Sequence, residues 1–314
     1  MAVVTLDDIT AARARVAPFI RRTPLHPLPG GPQLKLESLQ TTGSFKVRGA
    51  FNHVLARREE CAAGVITASS GNHGQAVAYV AKVLGLRAVV VVPETVIAVK
   101  ADAIAGYGAE VIRFGRYPED RVVKAQELAA QRRLHYVPPY DDPLIIAGQG
   151  TAGVEIVEDC PDVHIVVVPV SGGGLLSGIA AAVKSLRPES TVIGAEPAGA
   201  DRFRRSRQAG APVMLERAET IADGLRALSP GRLTWEVTSQ FVEKFHPVSD
   251  AAILAAMRRV LFDAHLLLEP SGATAVAAAL DLHLIGPTSV ALASGGNVDP
   301  SVLLQALAVT PPAL

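Results

Sequence analysis

Residues His164 to Leu186 read HIVVVPVSGGGLLSGIAAAVKSL, an apolar strand running through a glycine turn into an apolar helix. A strand without polar alternation is buried on both faces, and such strands occur in parallel sheets covered by helices. The unit is not alone. GVITAS leads into GQAVAYVAKVLG, RAVVVVP into KADAIAGYG, AEVIRFG into DRVVKAQELAAQRR, and TVIGAEP supplies a further strand. Strands alternating with helices place the chain in the α/β class, with mostly parallel sheets flanked by helices. At 314 residues the chain exceeds the roughly 250 to 300 at which a single core stops growing, so two closely packed domains are expected. Hydrophobic residues make up 49% and aromatics 4%, which assigns the core to Ala, Val, Leu and Ile.

Local signals place the remaining elements. Thr5 caps a helix, LDDITAARARV, that stops before Pro18. QLKLESL alternates as a strand, and SFKVRGAFNHVLARR has helical spacing. VPPYDDPLIIAGQG reads as a loop from Val137 to Gly150, with a helix beginning only at TAGVEIVEDC. DAAILAAMRRVLFDAH is a helix and SVALASGGN a strand.

Lys plus Arg equals Asp plus Glu at 30 each, so no net field draws nucleic acid or an acidic membrane surface. The one basic stretch, RFRRSR from Arg202, reads as a solvated helix face. Cys61 and Cys160 show no ligand spacing, which fits a reduced, cytoplasmic protein. The start of the sequence lacks the apolar stretch of a signal peptide, and no apolar run is long enough to span a bilayer.

Three short motifs carry chemistry, and each has a plain alternative. Gly172, Gly173 and Gly174 follow a buried strand and open a helix, where N–H groups and the macrodipole favour a phosphate; the same glycines also serve a tight turn. Gly172 and Gly174 begin a G-x-G-x-x pattern with Ser177 where the third glycine belongs and Glu196 about 20 residues on, which admits a nicotinamide dinucleotide. SSGNHGQA, from Ser69 to Ala76, offers donors for a carboxylate, or simply caps a helix. Lys46, in SFKVRGA, is on its own a solvated surface charge.

Taken in order, SFKVRGA, SSGNHGQA, VPVSGGGLLSG, IADGLRA and LASGGNVD resemble the fold type II pyridoxal phosphate enzymes, and specifically the threonine/serine dehydratase and serine racemase family. The resemblance implies a two-domain fold like that of the tryptophan synthase β subunit. Residues 1–46 plus 136–314 would form the large cofactor-binding domain and 47–135 a small inserted one. It implies that Lys46 holds pyridoxal phosphate as a Schiff base with Phe45 beside it, and that Gly172, Gly173 and Gly174, helped by Ser171 and Leu175, cradle the phosphate. Asn72 would bond the cofactor's phenolic oxygen and Ser294 would face the ring nitrogen. Gly224 and Glu269 would lie beside the cofactor.

By the same resemblance, Ser69, Ser70, Gly71, Asn72 and His73 would bind the substrate carboxylate, with Arg121 near the substrate. Lys46 would remove the α-proton of a hydroxyamino acid such as L-threonine or L-serine, giving a 2-oxo acid and ammonia. Ser70 matches the second acid/base of serine racemases, so racemisation or 3-hydroxyaspartate dehydration are the alternatives, while Tyr140 and Ala227 lean toward dehydration. Many relatives bind a divalent cation through an E-P-x-x-A-x-D pattern. Here EPAGADR supplies Glu196 and the Ala200 carbonyl, but Arg202 replaces the last acidic ligand, so no metal is expected and Arg202 is expected to supply the positive charge in its place, with Asp201 the weaker substitute ligand. A homodimer or higher homo-oligomer is expected. Few residues follow SGGNVD, so isoleucine feedback through a C-terminal regulatory domain is not expected.

Overall fold

The computed structural model describes residues 4–309. Helix α1 (Leu6–Val16) starts at Thr5, whose hydroxyl accepts from the Asp8 N–H while the Asp8 carboxylate accepts from the Thr5 N–H at 2.9 Å. This reciprocal cap satisfies two of the N–H groups that a helix start leaves without partners. There follow β1 (Leu25–Pro27), β2 (Pro32–Leu36), α2 (Lys46–Ala56), β3 (Val65–Ala68), α3 (Asn72–Leu84) and β4 (Ala88–Val92). Next come α4 (Ala98–Ala105), β5 (Glu110–Arg113), α5 (Pro118–Arg132), β6 (His135–Tyr136) and α6 (Pro143–Asp159). The chain continues through β7 (Ile165–Pro169), α7 (Gly174–Leu186), β8 (Thr191–Pro197), α8 (Arg202–Ala209), α9 (Arg232–Phe241) and β9 (Lys244–Val248). It closes with α10 (Asp250–Asp263), α11 (Pro270–Asp281), β10 (Gly286–Ala293) and α12 (Pro300–Ala308).

The strands form two sheets. The larger has the order β1-β2-β10-β7-β8-β9 and is parallel except for β1, which runs antiparallel beside β2. The smaller, β5-β4-β3-β6, is parallel throughout, and its strands all come from residues 65–136. The apolar strands sit where burial on both faces demands. In the larger sheet Val166 aligns with Val192 and Val290, and all three are fully buried. In the smaller sheet the five residues of AVVVV in β4 are buried from end to end.

Two local expectations fail, for identifiable reasons. The stretch Pro143–Gly150 is helix, not loop. Asp142 caps it through the N–H groups of Leu144 and Ile145, and Pro143 occupies the first turn, where its missing N–H costs nothing. Gly148 and Gly150 are there for close approach, not for a turn. A Cβ on Gly148 would stand 2.6 Å from the Gly49 Cα in α2, and one on Gly150 would stand 2.9 Å from the Gly178 carbonyl in α7. The second failure is partial: in RFRRSR, Arg205 and Arg207 are exposed as expected, but Arg202, Phe203 and Ser206 are buried.

Candidate active site

Lys46 is the first residue of α2, set there by a single antiparallel bridge between Ser44 and Gly295. The Phe45 N–H donates to the Ser294 carbonyl at 3.1 Å, so the chain enters the helix from the end of β10. The Lys46 amine donates to the Pro139 carbonyl at 2.7 Å and lies 5.1 Å from the centre of the Phe45 ring. Its surroundings exclude enough water that desolvation lowers its pKa from 10.5 to about 8. It is therefore far closer to a free amine at neutral pH than a surface lysine.

The segment after β6 organises one side of the site. The Val137 carbonyl accepts from the Thr67 hydroxyl at 2.8 Å and from His73 Nε2 at 3.1 Å. A carbonyl partner requires the proton on Nε2, and burial followed by the nearby Lys46 charge pushes the His73 pKa down to about 3, so the ring is neutral. Asp141 then caps α9 through the N–H groups of Arg232, Leu233 and Thr234.

The segment from Ser69 to His73 runs from the end of β3 into the first turn of α3. The Ser69 hydroxyl accepts from the Gly71 N–H at 3.3 Å, and a Cβ on Gly74 would meet the Ser69 carbonyl at 2.2 Å, so this tight entry requires glycine. Asn72 turns its amide nitrogen to Glu269 Oε1 at 2.6 Å and accepts through its oxygen from Asn297 at 2.7 Å. Glu269 is buried at the start of α11. Burial, then the charge of Asp223, raises its pKa to about 8, so the carboxyl is mostly protonated at neutral pH. A Cβ on Gly295 would meet Glu269 at 2.3 Å, which places Asn72, Glu269 and the Ser294–Gly295 turn in one cluster.

On the opposite side, the N–H groups of Gly172, Gly173, Gly174 and Leu175 have no main-chain acceptor among the described residues, as at any helix start. Gly173 has φ +103°, which an L side chain tolerates poorly. The Tyr140 ring lies against Gly172, where a Cβ would stand 2.5 Å from it. The Gly172 carbonyl accepts from the Thr234 hydroxyl at 2.6 Å, fixing the turn to α9. The Ser171 hydroxyl accepts from the Ala227 N–H at 3.2 Å, and the Gly224 N–H donates to Ser271 at 3.0 Å.

Arg121 is not drawn into these contacts. Its side chain donates to the Tyr117 carbonyl at the start of its own helix, although the charge of the neighbouring Glu119 is felt at the Tyr140 phenol. Glu196 accepts from the N–H groups of Phe203 and Arg204, both at 2.9 Å, and burial raises its pKa to about 7 against the pull of Arg202. With both oxygens committed to α8, Glu196 is not available to a ribose, and the dinucleotide reading loses its acidic residue. The Ala200 carbonyl is taken by the Arg202 guanidinium. Asn297, Thr234 and the Pro139 carbonyl belong to the site although the sequence did not single them out. Only Asn297, inside SGGNVD, stood in a motif that could have flagged it.

A desolvated lysine amine, a ring of N–H donors at a glycine turn and a second helix start rich in hydroxyl and amide groups define an α/β enzyme built around a phosphate-bearing carbonyl cofactor. The chain matches the family described as pyridoxal-phosphate dependent enzyme over residues 16–295, and it belongs to that family. It is 42% identical over 311 residues to the catabolic L-threonine dehydratase of Staphylococcus aureus strain N315, covering 95% of this chain and 90% of the relative. The maize serine racemase structure superposes with a TM-score of 0.92 at 36% identity, covering 97% of both chains. The processed form of threonine deaminase isoform 2 from Solanum lycopersicum gives a TM-score of 0.91 at 35% identity, over 97% of this chain and 87% of that one. Pyridoxal phosphate fits the residues present, since the amine suits its aldehyde and the free N–H groups of the turn suit its phosphate.

Proposed function

We propose that this enzyme removes the β-hydroxyl and the amino group of a hydroxyamino acid, converting L-threonine to 2-oxobutanoate and ammonium or L-serine to pyruvate and ammonium. The observation that carries the reading is the Lys46 amine, held at a pKa of about 8 between the Pro139 carbonyl and the Phe45 ring. Pyridoxal phosphate, when bound, supplies an electron-withdrawing ring that stabilises the charge left when the α-proton is removed.

The chain's own residues do the rest. Lys46 holds the cofactor and, once displaced, takes the α-proton, a task that needs a pKa near the working pH. The N–H groups of Gly172 to Leu175 hold the phosphate, with Ser171 and Gly224 on its flank. The loop Ser69 to His73 receives the substrate carboxylate, and neutral His73 adds no charge that would compete with Lys46. Ser294 presents a neutral hydroxyl to the ring nitrogen, and Asn72, held by Glu269 and Asn297, presents its amide to the phenolic oxygen. A substrate role for Arg121 would require its side chain to leave the Tyr117 carbonyl to which it donates.

A second reading, racemisation of serine, rests on Ser70. Its hydroxyl has no hydrogen-bond partner among the described residues, while that of Ser69 is engaged, so it is free to exchange a proton. We further place residues 1–46 plus 136–314 in a large domain and 47–135 in a small one, and the enzyme in the cytoplasm as a homo-oligomer. The free cysteines Cys61 and Cys160 support a reducing compartment. No helix among the described residues is long and apolar enough to cross a membrane.

Formation of 2-oxo acid from a panel of L- and D-hydroxyamino acids tests the function. We expect turnover of L-threonine or L-serine, and a loss of about 100-fold or more in Lys46→Ala. A panel that yields no 2-oxo acid, combined with α-proton exchange on serine, would replace elimination by racemisation.

A further inference from the structure

One buried charge takes no part in the chemistry above. The Arg202 side chain is fully buried at the start of α8. Its Nη2 donates to the carbonyls of Ala200 and Leu225, the latter at 2.8 Å, and its Nη1 donates to the Val170 carbonyl at 3.3 Å. Those carbonyls come from three separate segments: the residue after β7 that leads into the glycine turn, the 3-10 turn Ala198–Ala200 after β8, and the 3-10 turn Asp223–Leu225. A guanidinium does not lose its proton in a protein, so this is a permanent positive charge, and its burial is tolerable only among acceptors.

The surrounding groups complete the pattern. Glu196 lies close enough for its charge to act on Arg202, while its two oxygens hold the first N–H groups of α8. Asp201 is engaged elsewhere, accepting from Arg204 at 2.9 Å and Arg205 at 2.7 Å. A divalent cation would gather carbonyl and carboxylate oxygens here. The Ala200 carbonyl is already bound to a cation made of carbon and nitrogen.

We propose that the Arg202 guanidinium is a tethered cation standing in for a divalent metal ion, tying Val170, Ala200 and Leu225 together at the entrance to the glycine turn. Arg202 is thus a positioning residue for the phosphate-binding turn, and the enzyme is independent of metal. The inference does not depend on which amino acid is the substrate. A metal ion dissociates and must be replenished; a side chain does not.

The test uses the enzyme saturated with pyridoxal phosphate and reads thermal unfolding and cofactor dissociation, with chelator or with millimolar Mg²⁺ or Mn²⁺. The wild-type Tm and cofactor Kd should be the same in all conditions. Arg202→Asp restores the acidic residue of the E-P-x-x-A-x-D pattern. In chelator it should unfold at lower temperature and bind the cofactor about tenfold more weakly, because a charged hydrogen-bonding hub is lost. Divalent cation should restore both values in a saturable manner, since a ligand that binds only the folded state raises stability by mass action. Arg202→Lys, which keeps the charge without the fork, should fall between the two and ignore Mg²⁺. A wild-type Tm that falls in chelator or rises with Mg²⁺ would overturn the proposal even if Arg202→Asp failed to fold. So would an Arg202→Asp protein indifferent to every divalent cation.

Discussion

At the scale of single residues, the site depends on groups whose charge is set by burial. Glu269 is the clearest. Its carboxyl is buried, accepts from Asn72 and has its pKa raised from 4.5 to about 8. An acid raised in the folded state binds more protons there than in the unfolded chain between those two values. Its contribution to stability is therefore complete below about pH 4.5 and is lost as the pH rises through about 8. Glu269→Gln keeps the acceptor for Asn72 and removes the titration. We expect the variant to gain stability relative to wild type as the pH is raised from 5 to about 8, read from urea midpoints across that range. A constant difference would remove the buried proton from the account. Lys46 and the three glycines were legible in the sequence because each belongs to a short contiguous pattern. Asn297 and the Pro139 carbonyl were not, because their partners Asn72 and Lys46 lie far away along the chain.

At the scale of elements, the glycines that looked like loop residues are contact points between helices. Gly148 of α6 faces Gly49 of α2, so the two backbones approach more closely than side chains would permit. Gly148→Ala puts a Cβ 2.6 Å from a backbone atom that cannot rotate aside. The expected cost is about 1–3 kcal/mol, measured as a fall in the urea midpoint. Because α2 begins with Lys46, the same variant should also hold less cofactor, read as visible absorbance per chain. Pattern reading missed the first two turns of this helix because glycine scores against helix while serving here as a spacer. It misplaced Arg202 for a related reason: charge argued for solvent, and the Val170 and Leu225 carbonyls that accept from Arg202 come from segments distant in sequence.

At the scale of the whole molecule, the alternation of strands and helices fixed the class correctly, while the order β1-β2-β10-β7-β8-β9 followed from no local signal. Strand partners so far apart are chosen by the packing of the finished core. The two sheets are also linked by charge, since Lys100 on α4 pairs with Asp223 in the 3-10 turn before α9. Both side chains are partly exposed, so Lys100→Met should change the unfolding free energy by less than about 1 kcal/mol. The Lys100 charge also lowers the pKa of Glu269, and its removal should move the Glu269-dependent step in stability to higher pH. An unmoved step would separate the two groups electrostatically.

The bridge between Ser44 and Gly295, with the Phe45 N–H on the Ser294 carbonyl, sets an order of events during biosynthesis. Lys46 leaves the ribosome well before the strand that seats it. Contacts so distant in sequence form late and slowly. Until β10 has emerged, Lys46 is an ordinary solvated lysine without the wall that buries and positions it, so cofactor capture waits for β10.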